Sequence, residues 1–185
     1  MGQSVYLVID IQRDYFPGGA MALYRPAEAA EAAKKGLETA RAAGMPVIIV
    51  QHIALAENAT FFRPNTPGAA LMPDFEPRED DRHLVKHYAN AFRETRLDTL
   101  LQQLNVEEIV MSGMMTHMCI DTTCRAAADR GYRVTLLEDA TATRDLTFRG
   151  HTVPADAVQT AYLAALASSF ARVVSTDFWI EHVKR

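Results

Sequence analysis

The feature that most constrains this chain is an alternation of two periodicities. Short apolar runs recur at VYLVIDI (5–11), PVIIVQHI (46–53), HLVKH (83–87), EEIVMSGM (107–114), RVTLLED (133–139) and ARVVST (171–176). Runs this continuously apolar belong to strands covered on both faces, which is the condition of a parallel sheet. Helical segments separate most of them. From Pro26 to Gly44 a stripe of Ala30, Ala33, Leu37 and Ala40 faces inward while Glu28, Glu31, Lys35 and Glu38 face water; Gly44 ends the helix and Pro46 opens the next strand. RLDTLLQQL (96–104) and MCIDTTCRAAADRG (118–131, closed by Gly131) are two more helices. Pro154 starts a last one, with Val158, Ala161, Tyr162, Ala165 and Phe170 on one stripe. The expectation is an α/β, Rossmann-like three-layer fold: a six-stranded, mostly parallel sheet flanked by helices, in one domain spanning 1–185.

Composition narrows the partners. The net charge is −4 and the basic residues are scattered among acids, so no basic stripe awaits a nucleic acid or an anionic membrane. A small-molecule substrate is expected instead. The opening MGQSVYLVIDIQRDYF lacks a signal-peptide pattern, Tyr6 stands where a myristoylation signal has Ser or Thr, and no apolar stretch approaches the roughly 20 residues of a membrane span. A cytoplasmic protein is expected. The two cysteines, Cys119 and Cys124, are five apart on one predicted helix, rotated by about 140° from each other, so both are expected as free thiols. Residues 54–80, interrupted by Phe61, Phe62, Pro64, Pro67 and Pro73, read as a long loop, and a loop of that length usually serves as a pocket wall or lid.

In an open doubly wound sheet, ligands sit beyond the carboxyl ends of the strands where strand order reverses. If the first and fourth strands are neighbours, that point falls between Asp10 and the GMMTHMC turn. Asp10 closes an apolar strand, and a carboxylate there either works chemically or serves as a cap or structural ion pair. Cys119 follows the fourth strand at a predicted helix start, where the macrodipole lowers a thiol pKa; it is either a nucleophile or a small buried filler. Cys124, one turn on, reads as filler. Lys86 ends the third strand and could tune both groups, or could simply be solvated. Geometry raises a question about it: if the third strand lies two places from the first, Lys86 must reach inward across the second.

Asp-x-Gln after the first strand (DIQ, then DYF), KHYANAF and GMMTHMC occur in that order. Together with RAAADRGYRVTLLEDATATRD and AALASSFARVVSTD, the set resembles the isochorismatase-like cysteine hydrolases over nearly the whole chain. The resemblance implies the isochorismatase-like hydrolase fold and a catalytic triad of Asp10, Lys86 and Cys119. It also implies an oxyanion hole from the backbone N–H groups of Met115 and Cys119, with a cis Met114–Met115 peptide turning one of them inward. Gly113 and Thr116 take structural jobs in that turn, and His117 and Met118 read as wall residues. Hydrolysis of a C–N bond (amide, imide or ureide) through a thioester is the expected reaction, because isochorismatases that cleave a vinyl ether typically lack the cysteine; vinyl-ether or ester hydrolysis is the alternative.

Nicotinamidases of this superfamily build a metal site on an Asp-x-His pair after the second strand. Here Val50 replaces that aspartate before His52, and His83 and His87 are not at a ligand spacing with it, so no metal and no cofactor are expected. His52 then bonds a substrate group or a neighbouring loop, or is simply a satisfied buried histidine. Asn90 stands where the family often has serine. Pocket candidates are Phe16, His52, Phe61, Phe62, Asn90, Phe92 and Met115, with Arg13 and Arg63 the arginines near enough in sequence to meet a carboxylate. A homo-oligomer is expected from the family, with the 154–170 stripe free for a subunit contact.

Three other classes compete. A nucleotide-binding module would need G-x-G-x-x-G after the first strand, and DIQRDYFPGG places its glycines late. A thiol redox or sensor protein would carry C-x-x-C or a resolving thiol on the same helix face, and neither is present. A non-catalytic assembly protein would have lost Asp10, Lys86 or Cys119.

Overall fold

The computed structural model describes residues 3–183. At its centre runs β1 (Gln3–Ile9), flanked by β2 (Val47–His52) and β4 (Val106–Met114); β3 (Arg82–Lys86) lies outside β2, and β5 (Arg133–Ala142) and β8 (Arg172–Val174) lie outside β4. The order is therefore β3-β2-β1-β4-β5-β8, every neighbouring pair parallel. Val5 to Ile9 are wholly buried, which explains why β1 shows no polar alternation. Its side chains still alternate between two cores. Val5, Leu7 and Ile9 join the one built with α2 (Leu97–Gln103), α3 (Asp121–Asp129) and α4 (Ala155–Ser169), while Tyr6 and Val8 join the one built with α1 (Pro26–Ala42) and α5 (Thr176–Val183). This is the three-layer α/β architecture expected from the sequence.

Three local features escaped the sequence pattern. A small hairpin, β6 (Leu146–Phe148) and β7 (His151–Val153), turns at Arg149 and Gly150, both at positive φ. Strands of three residues are too short to show a period, although the Arg-Gly turn is a recognisable signal. Helix α5 follows β8 directly: Asp139 accepts bonds from the Thr176 N–H (2.8 Å) and hydroxyl (2.7 Å), Ser175 Oγ accepts from the Phe178 N–H, and Trp179 packs 5.5 Å from Tyr6. The expected helix 118–131 is two pieces, a π-type turn over Thr116–Ile120 and then α3.

The long 54–80 segment is irregular, with short 3₁₀ turns at Pro67–Ala69 and Pro73–Phe75, yet it is pinned. Phe62 and Phe75 are buried in the α1-side core. Asp14 Oδ2 accepts the Phe62 N–H at 2.7 Å, and the Gln12 amide donates to Ala69 O at 2.7 Å. A Cβ at Gly68 would lie 2.0 Å from Asp14 Oδ1, so only glycine lets this loop close onto the turn after β1.

Candidate active site

The reversal of strand order falls between β1 and β4, and both Asp10 and the GMMTHMC turn project from it. Asp10 follows β1 with φ 54°, a left-handed conformation tolerated best by Gly, Asn and Asp, while its N–H still bonds Val50 O at 3.0 Å. On the neighbouring strand Gly113 is paired with Ile9, and a Cβ there would sit 2.0 Å from Ile9 O. The glycine of the turn motif is thus set by the close approach of two backbones, and Met114 and Met115 follow it through a cis peptide.

Lys86 does cross β2. β3 stands two places from β1, about 10 Å across the sheet at ~4.8 Å per strand, and lysine and aspartate close the gap from opposite sides. Lys86 Nζ lies 2.7 Å from Asp10 Oδ2 and 3.2 Å from Cys119 Sγ. Asp10 and Lys86 have no exposed surface and Cys119 is 5% exposed. The same ammonium is 2.8 Å from His52 Nδ1 and 3.0 Å from Tyr88 O. Four acceptors therefore surround three N–H bonds. Asp10 is held to Lys86 as a close ion pair, and its carboxylate stands beside the Cys119 thiol, within 4.8 Å of it.

Burial governs the protonation states. It raises the Asp10 pKa, with the Lys86 charge pulling the other way, and it works to lower that of Lys86, where Asp10 and Cys119 more than offset it. The Cys119 thiol is pushed up to about 12, by burial first and the Asp10 charge second. This corrects the expectation of a dipole-activated thiolate. The macrodipole acts on a side chain that has been taken out of water, and desolvation outweighs it. Cys124, wholly buried in the α3-side core, is the apolar filler its position suggested.

His52, Asp10 and Cys119 offer ligand atoms within 4.8 Å of one another. Lys86 Nζ stands among them at 2.7 to 3.2 Å and engages the Nδ1 lone pair. Burial, then the Lys86 charge, lowers the His52 pKa to about 3, so the ring is neutral.

The remaining candidates divide. Phe61 and Phe62 cluster with Tyr15 and with the His52 ring, which is 5.7 Å from Phe62; Phe62 is sealed and backs His52, leaving half-buried Phe61 as the outer wall. Half-buried Asn90 caps its own turn by accepting the Phe92 N–H. Phe92 is not a pocket wall: it stacks on Tyr132 under Arg130, at the end of α3 remote from Cys119. Phe16 and Arg13 border a separate surface groove of about 480 Å³ with Pro67 and Met72. Thr116 donates to Gln159 (2.7 Å), which in turn donates to Thr141 (2.8 Å), tying the turn to α4 and β5. His117 bonds Thr143 at 2.6 Å and meets Tyr162 edge-on, so it belongs to the α4 layer.

Two residues matter more than sequence reasoning allowed. Gln12, in the quoted DIQ, donates to His52 O (2.9 Å) and accepts from the His52 N–H (2.7 Å), fixing the backbone that carries the imidazole. Tyr15, in the quoted DYF, is buried beside the site, and burial first, with the Asp10 charge adding to it, raises the pKa of its hydroxyl. Both motifs were visible; that their side chains turn toward the site required the fold.

An α/β sheet with a buried carboxylate, ammonium and thiol at its switch point defines a class of small-molecule enzyme. Residues 4–178 match the isochorismatase domain model, and the chain belongs to the isochorismatase family of hydrolases. It is 45% identical to the isochorismatase family protein YddQ of Bacillus subtilis, over 96% of this chain and 99% of that one. A cysteine hydrolase from Pseudomonas syringae pv. phaseolicola superposes with a TM-score of 0.92 at 28% identity, covering 98% of this chain and 92% of its own. Ureidoacrylate amidohydrolase RutB of Caulobacter vibrioides is 28% identical over 95% of this chain and 89% of its own. Among the described residues no helix is long and apolar enough to cross a membrane.

Proposed function

We propose that this protein hydrolyses a C–N bond of a small molecule through a covalent thioester on Cys119. The observation that carries the reading is the single ammonium, Lys86, within 2.7 Å of Asp10 and 3.2 Å of Cys119 in a site closed to water. Asp10 takes the thiol proton as sulfur attacks the carbonyl carbon. Lys86 holds the thiolate as it forms, which offsets the burial that keeps the thiol protonated at rest. The tetrahedral oxyanion is received by the N–H groups of Met115 and Cys119. Protonated Asp10 then gives its proton to the leaving nitrogen as the C–N bond breaks. Water next attacks the thioester and passes a proton to Asp10; an acid leaves, and the thiol recovers the proton from Asp10.

The similarity to the Pseudomonas syringae cysteine hydrolase and to the Caulobacter vibrioides ureidoacrylate amidohydrolase supports this chemistry. The test is intact-protein mass spectrometry after brief mixing with a panel of amides, imides, ureides and esters. A mass increment is expected in the parent and in Asp10→Asn if deacylation there slows more than acylation, and none in Cys119→Ala. An increment retained by Cys119→Ala, or none in any protein together with no released amine, would overturn the reading; adducts from esters alone would move it to ester hydrolysis.

A further inference from the structure

We propose that His52 is a specificity-determining hydrogen-bond donor whose Nε2–H receives a second carbonyl oxygen of the substrate, one atom removed from the scissile carbonyl. The preferred substrates are then imides or acylureas rather than simple amides. The inference rests on the C–N hydrolase reading above and names its substrate class.

The argument begins with proton counting. Lys86 can only donate, and its Nζ stands 2.8 Å from His52 Nδ1, so Nδ1 carries the lone pair and the ring proton is on Nε2. The ring cannot swap tautomers without losing that bond. Burial first, and then the Lys86 charge, favours the neutral ring.

Position comes next. A ring nitrogen of His52 lies within 4.8 Å of both Cys119 Sγ and an Asp10 oxygen, and Nδ1 is the nitrogen turned to Lys86, so the imidazole stands beside the site with Nε2 as its other polar atom. Of the four residues, Asp10, Lys86 and Cys119 are closed off, whereas His52 is half-buried. Nε2 has no partner among the described residues, and it is not one of the sealed, unpartnered atoms. It therefore keeps some exposed surface. One face of the ring is packed against buried Phe62, and Gln12 grips the His52 backbone from both its N–H and its C=O, so the donor points in a fixed direction.

Chemistry selects the partner. The donor is uncharged and the surroundings are Phe61 and Phe62, so it suits an uncharged acceptor such as a carbonyl oxygen. Lys86 is already paired with Asp10, so it is not left over for a substrate carboxylate. A carbonyl one atom from the scissile carbon also makes the leaving nitrogen an imide or ureide nitrogen, a better leaving group than an amine. Binding preference and reactivity then favour the same compounds.

The experiment compares kcat/KM for an acylurea and for the simple amide of the same acyl group, in the parent and in His52→Asn. Asparagine keeps an acceptor near Nδ1 for Lys86 and removes the donor at Nε2. Both substrates are expected to slow, through the altered support of Lys86, but the acylurea by a further 10- to 100-fold, roughly the cost of one lost donor to a bound acceptor. His52→Gln, which returns an N–H near the Nε2 position, should recover part of that preference. An equal loss on both substrates in His52→Asn overturns the proposal while leaving the thioester reading intact. Absence of any Cys119 adduct in the parent overturns the reading itself. As a check independent of folding, ¹⁵N spectra of the parent should show a neutral, Nε2-protonated His52 at pH 7; an Nδ1-protonated or cationic ring would equally overturn it.

Discussion

Strand β3 has a buried ion pair near each end, and the two are built to opposite rules. Just before its first residue, Asp81 is 4% exposed in its side chain and pairs with Arg41, 11% exposed, which reaches from the end of α1. Arg41 also bonds Glu38 at 2.9 Å, and Asp81 accepts the Arg78 N–H at 2.9 Å. Donors and acceptors there are well matched, with only Arg41 Nε left over. At the other end Lys86 faces Asp10, Cys119, His52 and Tyr88, more acceptors than it has protons. A matched pair fixes structure; a mismatched one keeps a proton acceptor ready. Burial is common to both, so burial alone does not mark a catalytic carboxylate.

That contrast can be broken in several ways, beginning with the largest effect. Cys119→Ala should lower turnover at least about a thousandfold, because the covalent route disappears, while thermal denaturation stays near that of the parent. A variant with near-normal turnover would make the Lys86 end as structural as the Arg41 end. Arg41→Met should do the reverse, lowering stability by about 3 kcal/mol in chemical denaturation because Asp81 is left buried and unpaired, with kcat/KM within about twofold of the parent. A large kinetic defect in Arg41→Met would dissolve the distinction between the two ends.

Smaller effects sharpen it. Asp10 must be ionised to accept the thiol proton, so kcat/KM should fall as pH drops through its raised pKa, giving an acid limb above the usual carboxylate range; that limb should not move in Arg41→Met. His52 works on stability with the opposite sign of shift. Its pKa falls from 6.5 unfolded to about 3 folded, so the unfolded state binds the extra proton between those values. Its contribution is full above about 6.5 and is lost as pH falls toward 3. Denaturation midpoints against pH should therefore be flatter over that window in His52→Asn. Last, a chelator should change the rate by less than about twofold, since Lys86 Nζ stands among the ligand atoms of His52, Asp10 and Cys119; a chelator-sensitive rate would show the site has been misassigned.

Much of the fold was legible because a parallel sheet buried on both faces leaves its mark in the strand sequences themselves. VYLVIDI and PVIIVQHI need no partner to be read as core strands, and Pro26 and Gly44 punctuate α1 by backbone geometry alone. Elements that owe their existence to a neighbour were silent: β6 and β7 are too short for a period, and α5 is held by Asp139 from another strand. At the site, Asp10, Lys86 and Cys119 could be picked out by position and by family resemblance, and Gly113 and Thr116 as parts of a turn.

The sequence by itself determined the six strands, the residue types at their carboxyl ends and the absence of a metal-binding aspartate before His52. The fold was needed to show that Lys86 crosses β2 to reach Asp10, that burial raises the Cys119 pKa, and that Phe92 packs with Tyr132 and Arg130 at the far end of α3. The physical reason is the range of the forces involved. Hydrophobic periodicity and backbone preference act over a few residues and are written along the chain. Desolvation and the sharing of protons among side chains depend on what four separate segments bring within about 3 Å, and no one segment encodes that.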